Sequence, residues 1–215
     1  MRTLVLVFSL CMFFSIESQA TAEELLLDDY QYGGKFSPAE WANSFSDSKG
    51  NVNSSQDTGN FATVKWATKW SGIPSTGEST DVAKFKTYQV DVMVEKGQPV
   101  EEEANFYLQL LVEVNQGYAY WEVFVPQKLI PADGKWYRIQ VPIKSMVAGH
   151  GDGADAPTDF KTVNGCCCGM TFDDEGDDKF KFKTAHFDNV TLLTDAVEKT
   201  SIKASPKTVN PPKKR

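Results

Sequence analysis

The stretch from Asn105 to Gln127, NFYLQLLVEVNQGYAYWEVFVPQ, constrains the fold of this chain more than any other. Apolar and polar side chains alternate along both of its halves, and a turn at Gln116-Gly117 separates them. Alternation with a period of two predicts β-strands, and a short loop that contains glycine predicts a hairpin. We therefore expect two antiparallel strands whose register is set by the face that is buried.

The predicted hairpin has one apolar face and one face that mixes aromatic, amide and carboxylate side chains. On the apolar face the expected pairs are Val114 with Ala119, Val112 with Trp121, Leu110 with Val123 and Leu108 with Val125. On the other face they are Asn115 with Tyr118, Glu113 with Tyr120, Leu111 with Glu122 and Gln109 with Phe124. Such a sheet either binds a flat ligand on its polar, aromatic face or is half-solvated and binds nothing.

The remaining segments predict further short strands. These strands are expected at residues 25–30, 41–45, 61–70, 85–95, 136–143, 166–172 and 184–193. No stretch shows a convincing 3.6-residue apolar period over eleven or more residues. Short strands separated by turn signals predict an all-β fold, an antiparallel β-sandwich or jelly roll. A chain of 215 residues suits one such domain.

The beginning of the chain has the pattern of a secretory signal peptide. Arg2 precedes an apolar run over residues 4–14, and Ala20-Thr21-Ala22 supplies a small-residue cleavage site. The apolar run is too short to span a membrane, and no other run approaches the roughly 20 residues that a span needs. We therefore expect residues 1–22 to be removed. The mature protein is expected to be a secreted, extracellular or periplasmic monomer without a membrane span.

Charge is distributed unevenly along the chain. Residues 23–197 carry 15 Lys/Arg and 27 Asp/Glu, which is a net charge of −12, whereas residues 198–215 carry six Lys/Arg and one Glu. An acidic body argues against a nucleic-acid partner, whose phosphates need a basic face. The Lys- and Pro-rich end lacks an apolar period, so residues 196–215 are predicted to be a disordered basic tail. The domain is then expected over residues 23–195.

Three segments resemble the β-sandwich carbohydrate-binding modules that have a galactose-binding-like jelly roll. LLLDDY resembles their opening strand, and GKWYRIQVPI resembles their strand in which a Trp precedes apolar alternation. CGMTFDDEGDDKFKFKTAHFDNVTLL resembles their final pair of strands, with its Phe-Asp-Asn-Val-x-Leu ending. The likeness covers nearly the whole mature chain to Leu193. It implies a non-catalytic, secreted protein that binds a polysaccharide or another glycan.

The polar, aromatic face of the hairpin has the side chains that a sugar ligand needs. The apolar C–H faces of sugar rings stack on flat aromatics, and their hydroxyls need amides and carboxylates. The predicted ligand-binding residues are Tyr107, Gln109, Glu113, Tyr118, Tyr120, Glu122 and Phe124. Trp41, Trp66 and Trp70 are candidates to extend this face. The alternative is that several of these aromatics are core residues, since large aromatics are mostly buried.

The resemblance also implies a structural Ca²⁺ site, because the first and last strands are neighbours in those modules. Asp28 or Asp29 and Asp188 are the predicted ligands, since calcium prefers carboxylate and carbonyl oxygens. The acidic run at residues 173–178 is a second candidate, although it lacks the spacing of an EF-hand loop. The alternative is an ordinary acidic turn.

Three consecutive cysteines, Cys166, Cys167 and Cys168, would remain in the mature chain without a distant partner. Neighbouring residues form a disulfide only with strain, and this spacing does not match tetrahedral zinc sites. We therefore expect Cys166 and Cys168, or Cys167, to fill small apolar positions in a buried strand. An intermolecular disulfide is the open alternative.

Two other function classes compete with glycan binding. A jelly-roll glycosidase or lyase needs catalytic groups, and Glu113 and Glu122 are candidates for the two carboxylates that glycoside hydrolysis requires about 5–10 Å apart. The histidines, His150 and His186, lie in no recognised nucleophile or metalloprotease motif. A structural or adhesive envelope protein is the third possibility. We favour the non-catalytic binder.

Overall fold

The computed structural model describes residues 22–30, 34–38, 49–55, 59–65, 70–114, 117–149, 151, 155–157, 159–172 and 184–205. Its strands are, in chain order, β1 (Glu24–Asp28), β2 (Ser37–Pro38), β3 (Lys49–Ser55), β4 (Gly59–Lys65), β5 (Trp70–Asp81), β6 (Thr87–Val94), β7 (Ala104–Val114), β8 (Gly117–Pro126), β9 (Trp136–Pro142), β10 (Val147–Gly149), β11 (Thr162–Phe172), β12 (Thr184–Leu193) and β13 (Ser201–Ala204). Single 3₁₀ turns at Gln127–Leu129 and Ile143–Ser145 follow β8 and β9. No helix among these residues is long and apolar enough to cross a membrane.

The strands form two antiparallel sheets, which confirms the predicted β-sandwich. Six strands of the seven-stranded sheet follow the order β13-β9-β6-β12-β4-β3. The seventh strand, β1, pairs with β12, with Leu25 opposite Leu192. The six-stranded sheet has the order β10-β8-β7-β11-β5-β2. Neighbours in space are mostly distant in sequence, apart from the β7–β8 and β3–β4 hairpins. Long-range pairing of this kind therefore places β5, β7, β8 and β11 side by side in one sheet.

The core lies between the two sheets and draws apolar side chains from the inner face of each. Phe106 from the six-stranded sheet meets Phe187 from the seven-stranded sheet edge to face, with ring centroids 5.9 Å apart. The Tyr88 hydroxyl reaches across the core to within 3.3 Å of Cys168 Sγ. Burial of a large apolar side chain contributes about 1.5–3 kcal/mol, so these inner faces dominate the stability of the sandwich.

The central hairpin has both predicted faces, but its register differs from the predicted one by two residues. Val112 lies opposite Ala119 and not opposite Trp121. The predicted pairs are wrong because Val114 already pairs with Gly117, which places the turn one residue earlier than expected. A shift of two residues leaves every side chain on the same face of the sheet. The division into a core face and an outer face is therefore confirmed although the partners changed.

Most predicted strands lie where the apolar alternation placed them, and β12 has the predicted bounds. The predicted strand at 61–70 is different, because β4 ends at Lys65 and Trp70 begins β5. β5 continues through Pro74 to Asp81, into a stretch for which no strand was predicted. Among the described residues, β2 pairs only with Ser75 and Thr76 of β5, so Pro74 lies outside that ladder, where its missing N–H is tolerated. The predicted strand at 41–45 lies outside the described residues.

The C-terminal boundary also differs from the prediction. Ser201–Ala204, inside the predicted disordered tail, pairs with β9 at the edge of the seven-stranded sheet. Thr87 holds the segment between β12 and β13, since its hydroxyl donates to Asp195 O at 2.6 Å and accepts from Val197 N at 3.1 Å. An edge strand offers unpaired backbone groups to any extended segment, whatever its side-chain pattern. Residues 206–215 and the predicted signal peptide up to residue 21 lie outside the described part of the chain.

Candidate functional site

The outer face of the six-stranded sheet, which is turned away from the core, holds the predicted ligand-binding residues together. It takes alternate residues of β8, β7, β11 and β5, because the residues between them point into the core. We name this surface the platform. Its side chains are Trp70, Tyr107, Gln109, Leu111, Glu113, Tyr118, Tyr120, Glu122, Phe124, Val147 and Cys167.

One end of the platform is an aromatic cluster. The Trp70 ring centroid lies 5.3 Å from that of Tyr107 and 5.9 Å from that of Phe124, and both pairs are tilted. Trp70 is 44% exposed and Phe124 is 41% exposed, whereas Tyr107 is only 5% exposed. Two rings therefore present apolar surface to solvent, and the third is covered.

Tyr107 is buried because its hydroxyl end lies over glycines of the two neighbouring strands. A Cβ at Gly72 of β5 would lie 1.9 Å from Tyr107 Oη, and a Cβ at Gly169 of β11 would lie 2.4 Å from it. Cys167 Sγ lies 3.8 Å from the same hydroxyl. Burial, together with the neighbouring thiol, raises the pKa of Tyr107 well above its usual value, so the phenol stays neutral. In this conformation Tyr107 supports Trp70 and is not accessible to a ligand.

The opposite end carries Tyr118 and Tyr120, which are half-buried and pack against the small buried cluster of Tyr107, Leu111 and Cys167. Burial and the nearby Glu122 carboxylate raise the pKa of Tyr120. Its hydroxyl therefore remains protonated at neutral pH and can both donate and accept a hydrogen bond.

The middle of the platform is polar. Gln109 Nε2 donates to Glu122 Oε2 at 3.0 Å, and the two residues are direct cross-strand partners. Gln109 is almost fully buried, whereas Glu122 is half-buried. The bond fixes the orientation of both side chains and leaves the second Glu122 oxygen and the amide oxygen as further acceptors. Hydroxyl groups of a ligand are natural donors to such a pair.

The candidate pair of catalytic glutamates occupies widely separated backbone positions. Glu122 lies opposite Gln109, and Gln109 is four residues from Glu113 along β7. Four residues of strand put the Cα atoms of Glu113 and Gln109 about 13 Å apart, whereas glycoside hydrolysis needs the carboxyl groups themselves about 5–10 Å apart. The predicted register would have placed Glu122 opposite Leu111, only two residues from Glu113.

His186 belongs to the other sheet and is held by two partners. Its Nε2 lies 3.0 Å from Glu95 Oε1, and its Nδ1 lies 2.9 Å from Thr63 Oγ1. Burial lowers the pKa of His186, with Glu95 opposing that effect. This neutral, hydrogen-bonded ring lies on β12 of the seven-stranded sheet, whereas the platform is a face of the six-stranded sheet. The other histidine, His150, lies outside the described residues.

The cysteines divide between the two sides of β11. Cys166 and Cys168 are buried in the core, as expected, while Cys167 lies on the platform beneath Tyr107 and is 7% exposed. All three are free thiols. Burial raises the pKa of Cys167 to about 12, so this thiol stays protonated at neutral pH. It behaves as a small apolar side chain of the platform.

The predicted calcium ligands lie on neighbouring strands, as the resemblance implied, but the described residues place no group of three or more His, Cys, Asp or Glu side chains to hold a metal. Asp28 and Asp188 are both fully buried, and Asp29 is half-buried. Asp28 lies opposite Val190, whereas Asp188 lies opposite Asp91 of β6. Burial raises the pKa of Asp28 to about 6, and its Oδ2 has no hydrogen-bond partner among the described residues. Such an oxygen fits either a proton or a cation, so calcium stays a prediction.

The sequence did not show which face of the sheet carries Trp70. It also gave no signal that Val147 and Gly149 of β10 would lie at the platform. The predicted strand at 61–70 ends at Trp70, whereas in the structure Trp70 begins β5. β5 was not predicted because the Gly, Ser and Pro residues that follow Trp70 do not show the apolar alternation of a strand. Trp41, Trp66 and the acidic run at 173–178 lie outside the described residues.

A comparison with solved structures finds the family 11 carbohydrate-binding module from Clostridium thermocellum in complex with a β-1,3-1,4-mixed-linked tetrasaccharide. The two chains are 17% identical, the alignment covers 79% of this chain and 94% of that chain, and the TM-score is 0.49. No protein-family model and no curated protein sequence matches the chain. At this identity the function has to be argued from the platform itself.

Proposed function

We propose that this chain is a non-catalytic carbohydrate-binding protein that holds a polysaccharide on the platform. The observation that carries the proposal is the combination of two exposed rings, Trp70 and Phe124, with the hydrogen-bonded Gln109–Glu122 pair on one flat sheet face. Exposed large aromatics on a soluble protein mark binding surfaces more often than scattered apolar residues do.

The two kinds of side chain have separate tasks. Aromatic rings stack on the C–H faces of sugars and supply affinity with broad specificity. Polar groups fix the orientation of the sugar, because a buried polar group that is left unpaired costs about 1–3 kcal/mol. Gln109 and Glu122 are held together before a ligand arrives, so little side-chain entropy is lost on binding.

The length of the platform favours a chain of several sugars over a single one. Tyr120 and Phe124 are four residues apart on β8, which places their Cα atoms about 13 Å apart. The polar pair lies between these aromatic ends, since Glu122 is midway along the same stretch. A polymer that follows β8 would contact Tyr120, then the Gln109–Glu122 pair and then Phe124.

The charge of the platform favours a neutral glycan. None of the six strands of this sheet contains a Lys or Arg, whereas Glu113 and Glu122 both lie on the platform. An anionic polysaccharide, such as a polyuronate, would meet like charges without a compensating cation from these six strands. We therefore place β-glucans and xylans ahead of alginate as ligands.

The signal-peptide pattern at residues 1–22 supports export, which would bring the protein to where polysaccharides occur. We propose that it acts outside the cytoplasm as a monomer.

Native affinity electrophoresis tests the proposal. The mature protein, residues 23–215, is run in gels that contain β-glucan, xylan or alginate, and the expected result is retardation by a neutral polysaccharide. Release of reducing ends or unsaturated products would instead indicate an enzyme. Equal mobility in all gels, with no product released, would overturn the proposal in favour of a structural role.

A further inference from the structure

Gly149 occupies a special position beside the platform. It lies on the edge strand β10, directly opposite Tyr120 of β8. A Cβ built at Gly149 would lie 2.2 Å from Tyr120 Cε2, 2.6 Å from Cδ2 and 3.0 Å from Cζ. The Tyr120 ring therefore fills the space that any side chain at this position would need.

Other glycines of the same sheet are constrained by the backbone. A Cβ at Gly165 would lie 2.4 Å from Ser75 O, and one at Gly169 would lie 2.3 Å from Ser71 O. Substitution at those positions would disturb the pairing of β11 with β5. At Gly149 the three nearest atoms all belong to the Tyr120 ring, so a methyl group there would meet that ring first.

We propose that Gly149 is a positioning residue of the platform, because the missing side chain lets the Tyr120 ring settle over β10 at a fixed place. This inference rests on the proposed function and adds a determinant that contacts no ligand. A methyl group at Gly149 would push the ring out of that place, since rotation of the Tyr side chain is easier than movement of the strand. The stacking surface at this end would then be lost while the fold remains.

A purely structural role makes a different prediction. An aromatic ring over an edge glycine can stabilise a strand by covering its backbone, and β10 is only three residues long. If that were the whole role, Gly149→Ala would alter the stability of β10, and any effect on binding would not depend on the Tyr120 ring. The two roles are separated by testing Gly149→Ala in the presence and in the absence of that ring.

The first measurement needs no ligand. In the mature protein, labelled with ¹³C-glycine, the Gly149 α-protons should show a ring-current shift that disappears in Tyr120→Ala. Protons at the ordinary glycine position in the parent would overturn the seating of the ring on Gly149, whatever the protein binds.

The second measurement is a double-mutant cycle on the neutral polysaccharide, β-glucan or xylan, that retards the parent more strongly. We expect Gly149→Ala and Tyr120→Ala each to weaken retention about tenfold, and the double variant to be no weaker than Tyr120→Ala alone. The positioning role would be overturned if Gly149→Ala left retention unchanged. It would also be overturned if Gly149→Ala weakened retention equally in the parent and in the Tyr120→Ala variant. A parent that no gel retards would overturn the proposed function, while the glycine spectrum would still report whether the ring sits on Gly149.

Discussion

Trp70 and Phe124 lie with ring centroids 5.9 Å apart although β7 and β11 separate their strands. Strands are spaced about 4.8 Å apart, so each of these side chains must lean across a neighbouring strand to meet the other. Tyr107 lies between them in the sheet and contacts Trp70 at 5.3 Å. The contact converts three separate strand positions into one apolar surface.

Trp70→Ala is expected to weaken polysaccharide retention more than Phe124→Ala. The Trp70 ring contacts both other rings of the cluster, so its removal takes away one stacking surface and also the ring contact between Trp70 and Phe124. A loss of about 1.4 kcal/mol corresponds to a tenfold weaker affinity. Affinity electrophoresis measures the change, and a melting curve checks that the fold persists.

Leu129→Ala is the matched control for that experiment. Leu129 is 49% exposed and apolar but lies in the 3₁₀ turn after β8, outside the platform. Retention should be the same as for the parent. A larger loss with Leu129→Ala than with Trp70→Ala would place the binding surface at the end of the sheet.

Glu122→Gln is expected to relax the discrimination against anionic polysaccharides. The substitution removes a negative charge from the platform and keeps an oxygen that can accept the bond from Gln109 Nε2. Retention by alginate at low salt should rise, and retention by a neutral glucan should change by less than about threefold. Because surface charges are screened over about 10 Å at 0.1 M salt, the difference between parent and variant should shrink as salt is added. Unchanged alginate retention at every salt concentration would show that the carboxylate does not select the ligand.

The sequence predicted the sandwich and the two faces of its central hairpin because both depend on side-chain parity. Val112 and Trp121 point into the core in either register, since a shift by two residues conserves the face. Register itself depends on the turn, and a Gln-Gly pair does not dictate one turn type. The predicted partner of Val112 was therefore wrong, whereas its burial was right.

Features that depend on long-range pairing were beyond the sequence pattern. β5 contains Gly72, Pro74 and Gly77, which favour a loop locally, yet pairing with β11 holds it extended. β13 is only four residues long and becomes a strand because β9 offers it an edge. The burial of Tyr107 likewise required glycines from two other strands, and no local rule brings those three residues together.

Stability is expected to fall steeply above pH 9. Burial raises the pKa of Cys166, Cys167 and Cys168 above the ordinary value of 9.0, and it also raises the pKa of the buried tyrosines Tyr30 and Tyr88. These groups keep their protons in the folded protein at a pH at which the unfolded chain has lost them. Their contribution to the free energy of unfolding is therefore complete below the pKa of the unfolded chain and declines as the pH rises above it. Each group contributes a slope of up to about 1.4 kcal/mol per pH unit.

Urea denaturation of the reduced protein between pH 8 and pH 11 measures that slope. Cys167→Ala removes one such group without touching the core face of β11, and its slope above pH 9 should be smaller by about 1.4 kcal/mol per unit. A variant with the slope of the parent would show that the Cys167 thiol ionises as readily in the fold as in the unfolded chain. Alkylation of the three thiols at pH 8 should accordingly be slow before unfolding and complete after it.

Calcium is expected to raise the melting temperature of the parent through Asp28. Without a cation, the raised pKa of this carboxyl, about 6 against an ordinary 3.8, makes the contribution of Asp28 to stability most favourable below pH 4 and less favourable by about 3 kcal/mol at pH 7. A bound cation would remove that loss and stabilise the fold by mass action. Asp28→Asn should therefore be more stable than the calcium-free parent at pH 7 and indifferent to calcium, whereas Asp159→Asn, which removes a surface carboxylate paired with Lys161, should respond as the parent does. Equal melting temperatures of the parent in millimolar calcium and in excess chelator would show that Asp28 binds no calcium.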